Sequence, residues 1–168
     1  MTKYAHEILR PGVPACKKSA IQLYFDGKTF RIQSSIGTLK SYPAVSGRSV
    51  NGSFDYSNQR QRVANQGPIP EGNYWINPSD LWTNTPLKNI LRSPRSAWGD
   101  HRIAIRVYPG TNTHGRGGFF IHGGDTPGSA GCIDLTHAMN DFVKDLKQML
   151  GNQTDCHIHL AVEYSNAP

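Results

Sequence analysis

The chain has 168 residues, 37% of them hydrophobic and 18% charged, with a formal net charge of +6. That is the length of one domain, with enough apolar content to bury a core. The excess of base is dispersed, since no run of five Lys or Arg occurs and the longest cluster is Lys17-Lys18; this speaks against nucleic acid as a partner and fits either solubility or attraction to an anionic polymer.

The N-terminal segment Met1 to Gly12 has neither an apolar h-region nor a small-residue cleavage site, so Sec export is not expected, and no stretch is apolar enough for a membrane span. Residues 1–20 show no periodicity and read as an irregular arm on a single domain. Ile21, Leu23 and Phe25 then alternate with polar neighbours, Asp26-Gly27 supplies a turn, and Phe30 and Ile32 resume the alternation, which predicts a hairpin with one apolar face. Leu39, Tyr42 and Val45, interrupted by Pro43, read as an edge strand. From Arg48 to Gln66 the chain is polar and predicts a long loop of the kind used as a lid or binding loop.

Gly67-Pro68-Ile69-Pro70-Glu71-Gly72 stiffens the approach to a short strand at Tyr74-Trp75-Ile76. Asn77 to Gly99 is predicted irregular, with Trp82 and Trp98 either packed under the loop or clamping a ligand. Ile103, Ile105 and Val107 alternate with Arg102, Ala104 and Arg106, the pattern of a half-buried strand with a cationic outer face. Met139, Phe142, Val143, Leu146, Met149 and Leu150 lie on one face at helical spacing, with Thr136 as N-cap and Gly151 as stop. Ile158, Leu160, Val162 and Tyr164 make a closing strand. Many short strands and one helix predict a mainly β fold, a sandwich.

The chemistry is concentrated between Phe119 and Leu135. A strand ends at His122, a loop of Gly, Pro, Ser, Asp and Thr follows, and a second buried segment starts at Cys132. A thiol is a useful nucleophile only when a base removes its proton, and an imidazole is the usual base. The main chain at Ala130, Gly131 and Cys132 is a candidate for the N–H groups that meet the oxyanion of an attacked carbonyl. The competing reading is structural, with Cys132 a small buried hydrophobe and His122 a satisfied strand-end histidine.

Ile121-His122-Gly123 followed by Gly128-Ser129-Ala130-Gly131-Cys132-Ile133 resembles the active-site signature of the L,D-transpeptidase (YkuD-like) catalytic domain family. Gly-Gly-Phe-Phe-Ile-His-Gly-Gly with Gly-Ser-Ala-Gly-Cys-Ile-Asp-Leu resembles more closely the L,D-transpeptidase-like effectors delivered by type VI secretion systems (Tlde1-type). The resemblance extends to Gly67 to Tyr74 and to Trp98-Gly99 with Arg102. It implies a β-sandwich of the L,D-transpeptidase type and a Cys132 nucleophile with His122 as base. It also implies attack on the third-position diamino acid of a peptidoglycan stem tetrapeptide, with loss or exchange of the terminal D-alanine. The same resemblance implies delivery by a type VI machine to the target-cell periplasm, and a cognate immunity protein. Neither cofactor nor metal is expected.

Ala130 stands where most of the broad family has a His, and Asp134 where it has an Arg that would hold a substrate carboxylate. Gly123, Ser129 and Asp134 are therefore kept as substrate-binding candidates, and a cation from Arg102, Arg106 or Arg116 is expected to supply the missing charge. Two rival functions are a zinc module built from Cys132 or Cys156 with His122, His157 or His159, and a cell-wall binder with a silent Cys. Cys16 and Cys156 either pair or remain thiols.

Overall fold

The computed structural model describes residues 17–83, 101–152 and 157–164. Cys16, Cys156, Trp98 and Gly99 lie outside them. The first hairpin forms as its alternation requires: β1 (Lys18–Phe25) pairs antiparallel with β2 (Thr29–Gln33), and Ile21, Leu23, Phe25, Phe30 and Ile32 all point inward. Asp26 closes the turn by accepting the N–H groups of Lys28 and Thr29. The strand begins at Lys18, so the predicted irregular arm overruns it by three residues at its C-terminal end. Lys18 is strand because it pairs with His157, at the start of a distant parallel strand, and Ser19 and Ala20 lie in the register shift between that pair and the next, Gln22 with His159.

Further along come β3 (Leu39–Pro43), β4 (Val45–Ser46), β5 (Gly72–Ile76), β6 (Trp82–Thr83), β7 (His101–Val107), β8 (Phe120–His122), β9 (Ile133–Asp134) and β10 (His157–Val162). Their order across the sheet is β3-β2-β1-β10-β5-β7-β8-β9-β4, with β6 added on β7. The two ends of that order, β3 and β4, are separated in sequence by Ala44 alone. A sheet whose edges are tied by one residue has to curl round on itself, and its two halves enclose a common core, as the predicted sandwich requires.

That core is a single cluster. Rows such as Ile103, Ile121 and Ile133, each fully buried and in register, face the helix and the opposite half of the sheet.

The Arg48 to Gln66 stretch is not structureless: Ser57 caps a short helix, α1 (Asn58–Gln61), by accepting the Arg60 N–H. Its buried Gln61 donates to the Tyr56 carbonyl and accepts from the Glu71 N–H, which fastens the loop to the chain ahead of β5. Side-chain to main-chain bonds of this kind leave no hydrophobic period to read.

The predicted amphipathic helix is α2 (Met139–Leu150), ended by Gly151 at φ 54. It buries Met139, Phe142, Val143 and Leu146, with Met149 and Leu150 half-buried. Phe142 meets Phe30 and Tyr42 edge-on, at centroid distances of 5.1 and 5.7 Å. Thr136 is not the N-cap. A 3-10 turn (Thr136–Ala138) precedes the helix, Thr136 itself has φ 49, and its N–H donates to Asp134.

Candidate active site

The site lies on the face of β7, β8 and β9 opposite the isoleucine row. Register sets its members: Trp82 is opposite Arg102, Arg102 opposite His122, His122 beside Asp134, and Asp134 opposite Val45. Residues in register on paired strands carry their side chains on the same face, so these form one lateral row across five strands. Val45 also lines a cleft of about 610 Å³ shared with Lys28, Phe54, Asp55 and Tyr56.

Cys132 is two positions before Asp134 and therefore on the same face, diagonal to His122. Its thiol is hydrogen-bonded to the main chain of Phe120, which puts the sulfur beside β8, one step back from the imidazole. Diagonal neighbours across a strand pair are within reach of a ring-sized side chain. The residue is 7% exposed. Burial pushes the thiol up to about 11, and the Asp134 charge adds to the rise, while the Phe120 contact opposes it. At neutral pH the sulfur therefore carries its proton.

His122, 4% exposed, is oriented from below. Its Nδ1 lies 2.7 Å from the Gly123 carbonyl oxygen. A carbonyl can only accept, so Nδ1 is the protonated nitrogen and Nε2 carries the lone pair. Asp134 Oδ1 lies 3.8 Å from the same Nδ1, close enough to stabilise an imidazolium. Gly123 is a glycine for lack of room, because a Cβ there would lie 2.7 Å from the Thr136 carbonyl oxygen and 2.8 Å from the Met139 Cβ.

Asp134 is 1% exposed and fully engaged. Oδ2 accepts the Gly128 N–H at 3.0 Å and Oδ1 the Thr136 N–H at 2.8 Å. Burial raises its carboxyl above the ordinary value, and His122 and these two N–H groups pull the other way. In this geometry the Asp134 carboxylate pins both ends of the Cys loop and faces the imidazole.

Ser129 is likewise engaged. Its hydroxyl donates to the Cys132 carbonyl at 2.7 Å and accepts the Gly47 N–H, while its own N–H donates to the Gly47 carbonyl. Gly123, Ser129 and Asp134 therefore shape the loop.

Between them, the N–H groups of Ala130 and Gly131 make no hydrogen bond to any of the described residues. Gly131 has φ 114, and a Cβ on it would lie 2.5 Å from Arg116 Nη2. Only glycine fits that backbone and that contact.

The three candidate arginines separate clearly. Arg116 donates to the carbonyls of Gln61, Pro68 and Gly67 at 2.5, 2.7 and 2.9 Å, and burial lowers its pKa. Its place is to bind the α1 loop to the back of Gly131. Arg106 is buried on the outer face over Trp75, with Nε and Nη2 on Asp80 Oδ2 at 3.0 and 2.7 Å. Arg102 is half-buried beside His122, its guanidinium 4.8 Å from the Trp82 ring and 5.6 Å from the Phe120 ring. The three look alike in sequence because no local pattern reveals which distant groups a guanidinium will meet.

The histidines proposed for zinc serve elsewhere. His159 is bonded through Nδ1 to Gln22 and through Nε2 to Asn73, and His157 packs edge-on against Trp75 and Tyr108. Among the described residues no group of three His, Cys, Asp or Glu side chains converges on a common point.

Compared with known proteins, the chain matches no curated protein. Its fold is similar to that of L,D-transpeptidase 1 of Mycobacterium tuberculosis, at 16% identity over 85% of this chain and a TM-score of 0.43. The chain spans 61% of that protein's length. The Tlde1 domain model matches residues 42–157, well over half of the sequence and inclusive of His122, Cys132 and Asp134. The chain belongs to the Tlde1 domain family.

Proposed function

We propose that this protein is a cysteine acyl-transfer enzyme acting on peptidoglycan stem peptides, an L,D-carboxypeptidase or L,D-transpeptidase used as an antibacterial type VI effector. The observation that supports the chemistry is the Nδ1 contact of His122 with the Gly123 carbonyl, which leaves Nε2 basic on the face that carries Cys132.

Because the thiol is protonated at rest, proton transfer and attack go together. Nε2 takes the proton as Sγ bonds to the carbonyl carbon of the third-position diamino acid, and the imidazolium is stabilised by Asp134. The carbonyl oxygen, now negative, sits against the N–H groups of Ala130 and Gly131. Collapse breaks the bond to the terminal D-alanine nitrogen, which receives the proton from Nε2 and leaves as the amine. The thioester on Cys132 then reacts with water, giving the shortened peptide, or with the amine of a D-amino acid or another stem, giving exchange or crosslinking. His122 accepts the proton of the attacking group and returns it to the sulfur.

Purified variants incubated with a disaccharide tetrapeptide test this by mass spectrometry of the products. Cys132→Ala is expected to release no D-alanine, and His122→Ala less than about one part in a thousand of the wild-type rate, since nucleophile and base act as a unit. Full release by Cys132→Ala would remove the assignment.

The effector role rests on the family: delivery by a secretion machine, activity in the target periplasm and protection of the producer by an immunity protein are its corollaries. Binding the wall without chemistry is the weaker reading, because an imidazole held in one tautomer next to a buried thiol has no use in a binder.

A further inference from the structure

We propose that Arg116 is the positioning residue of the oxyanion site: its guanidinium fills the place of a side chain at Gly131 and so fixes the direction of the Gly131 N–H. This rests on the acyl-transfer reading above and adds the group that sets the geometry of its chemical step, acting through the main chain and not on the substrate.

The Cys loop is tied at its ends and bare in the middle. At one end Gly128 donates its N–H to Asp134 and Ser129 donates its own to the Gly47 carbonyl. At the other, the Cys132 carbonyl accepts the Ser129 hydroxyl and Thr136 donates to Asp134. The peptide between Ala130 and Gly131 turns with the φ of Gly131, and a glycine at φ 114 has no side chain to settle that angle. An N–H that is to meet a developing charge has to be aimed before the charge appears.

Arg116 supplies the constraint. Its Nη2 lies 2.5 Å from where a Cβ of Gly131 would stand, with Phe119 at 3.3 Å and the Gly67 carbonyl oxygen at 3.5 Å around the same point. The guanidinium is itself held, because Nη1 donates to the carbonyls of Gln61 and Pro68 and Nη2 to that of Gly67, while its carbon lies 5.6 Å from the centre of the Phe119 ring. Three acceptors so arranged suit a rigid planar fork, and a lysine would bring only a point charge on a flexible stem.

The ledge that accepts these bonds is anchored next to Gly47. Arg48 donates its N–H to the Gln66 carbonyl at 2.8 Å, and Ile69 donates to the Ser46 hydroxyl at 2.8 Å. One short stretch, Ser46 to Arg48, therefore holds Ser129 directly and Gly131 by way of the ledge and Arg116.

The test separates the oxyanion site from the thiol and its base. D-alanine release from the disaccharide tetrapeptide needs all three, whereas alkylation of Cys132 by iodoacetamide displaces iodide and develops no oxyanion. Arg116→Ala is expected to lower kcat by about 10- to 100-fold, the scale of a misplaced reacting group, and to leave KM and the alkylation rate within about twofold of wild type across the pH range. Arg116→Lys, which keeps the charge but not the fork, is expected between the two, again with alkylation unchanged, and decides the question by itself if Arg116→Ala does not fold.

A wild-type kcat in the variants would overturn the role, as would a fall in kcat matched by an equal change in alkylation or carried wholly by KM. Wild type that alkylates at Cys132 but releases no D-alanine would instead remove the acyl-transfer reading, and this role with it.

Discussion

At the scale of single residues, Cys132 and His122 illustrate two opposite uses of burial. Water is kept from both, but the imidazole is compensated by a carbonyl and a carboxylate, whereas the thiol is held in its neutral form. The sign follows directly. Burial disfavours the thiolate, so the pKa moves up from 9.0 to about 11, and the thiolate fraction falls tenfold for each pH unit below that value. Alkylation of Cys132 by iodoacetamide is accordingly expected to accelerate steadily between pH 7 and pH 10, with no plateau near neutrality; a plateau at pH 7 to 8 would mean a preformed thiolate. The same shift acts on stability: the folded protein holds this proton more tightly than the unfolded chain, so the contribution is whole below 9.0 and is lost as the pH climbs towards 11.

At the scale of elements, α2 is held mainly by its apolar face. Phe142 is fully buried and meets Phe30 and Tyr42 edge-on, whereas the polar tie between Lys40 and Asp145 at 3.2 Å involves a lysine side chain that is 46% exposed. The magnitudes decide which matters more. Truncating a buried phenylalanine costs about 3–5 kcal/mol, and a solvent-screened ion pair contributes less than about 1 kcal/mol. Urea denaturation is expected to show Phe142→Ala destabilised by that larger amount and Lys40→Ala nearly unchanged, and similar midpoints for the two would contradict the packing account. Met139 lies on the same helix and closes over Gly123, so loosening α2 is also expected to disturb the carbonyl that orients His122.

At the scale of the whole molecule, a basic protein with this site has its proposed substrate in the cell wall. The net charge of +6 draws it to an anionic polymer over distances of about a Debye length, roughly 8 Å at physiological salt. Expressed in the bacterial cytoplasm, the chain is expected to be harmless; fused to an export signal it should kill, and Cys132→Ala should abolish the killing. Growth curves of the three strains suffice, and equal killing from the cytoplasm would point to an intracellular target.

What the sequence determined by itself was local. Alternation at Ile21 to Ile32 and at Ile103 to Val107, the turn at Asp26-Gly27 and the apolar stripe of α2 are written in periods of two and of 3.6 residues, and all are found where expected. Cys132 and His122 stood out for the same reason, as chemically distinctive residues in a short glycine-rich segment. The polar helix at Asn58–Gln61 and the short strands β4, β6 and β9 carry too few residues for any period, and they exist because distant partners complete their hydrogen bonds. Only the tertiary structure decided the row from Trp82 to Val45. Its register depends on segments up to 89 positions apart, Val45 and Asp134, and no local pattern encodes which strand will lie beside which. The same register set Asp134 beside His122 and put Arg102, of three arginines that look alike in sequence, directly opposite it.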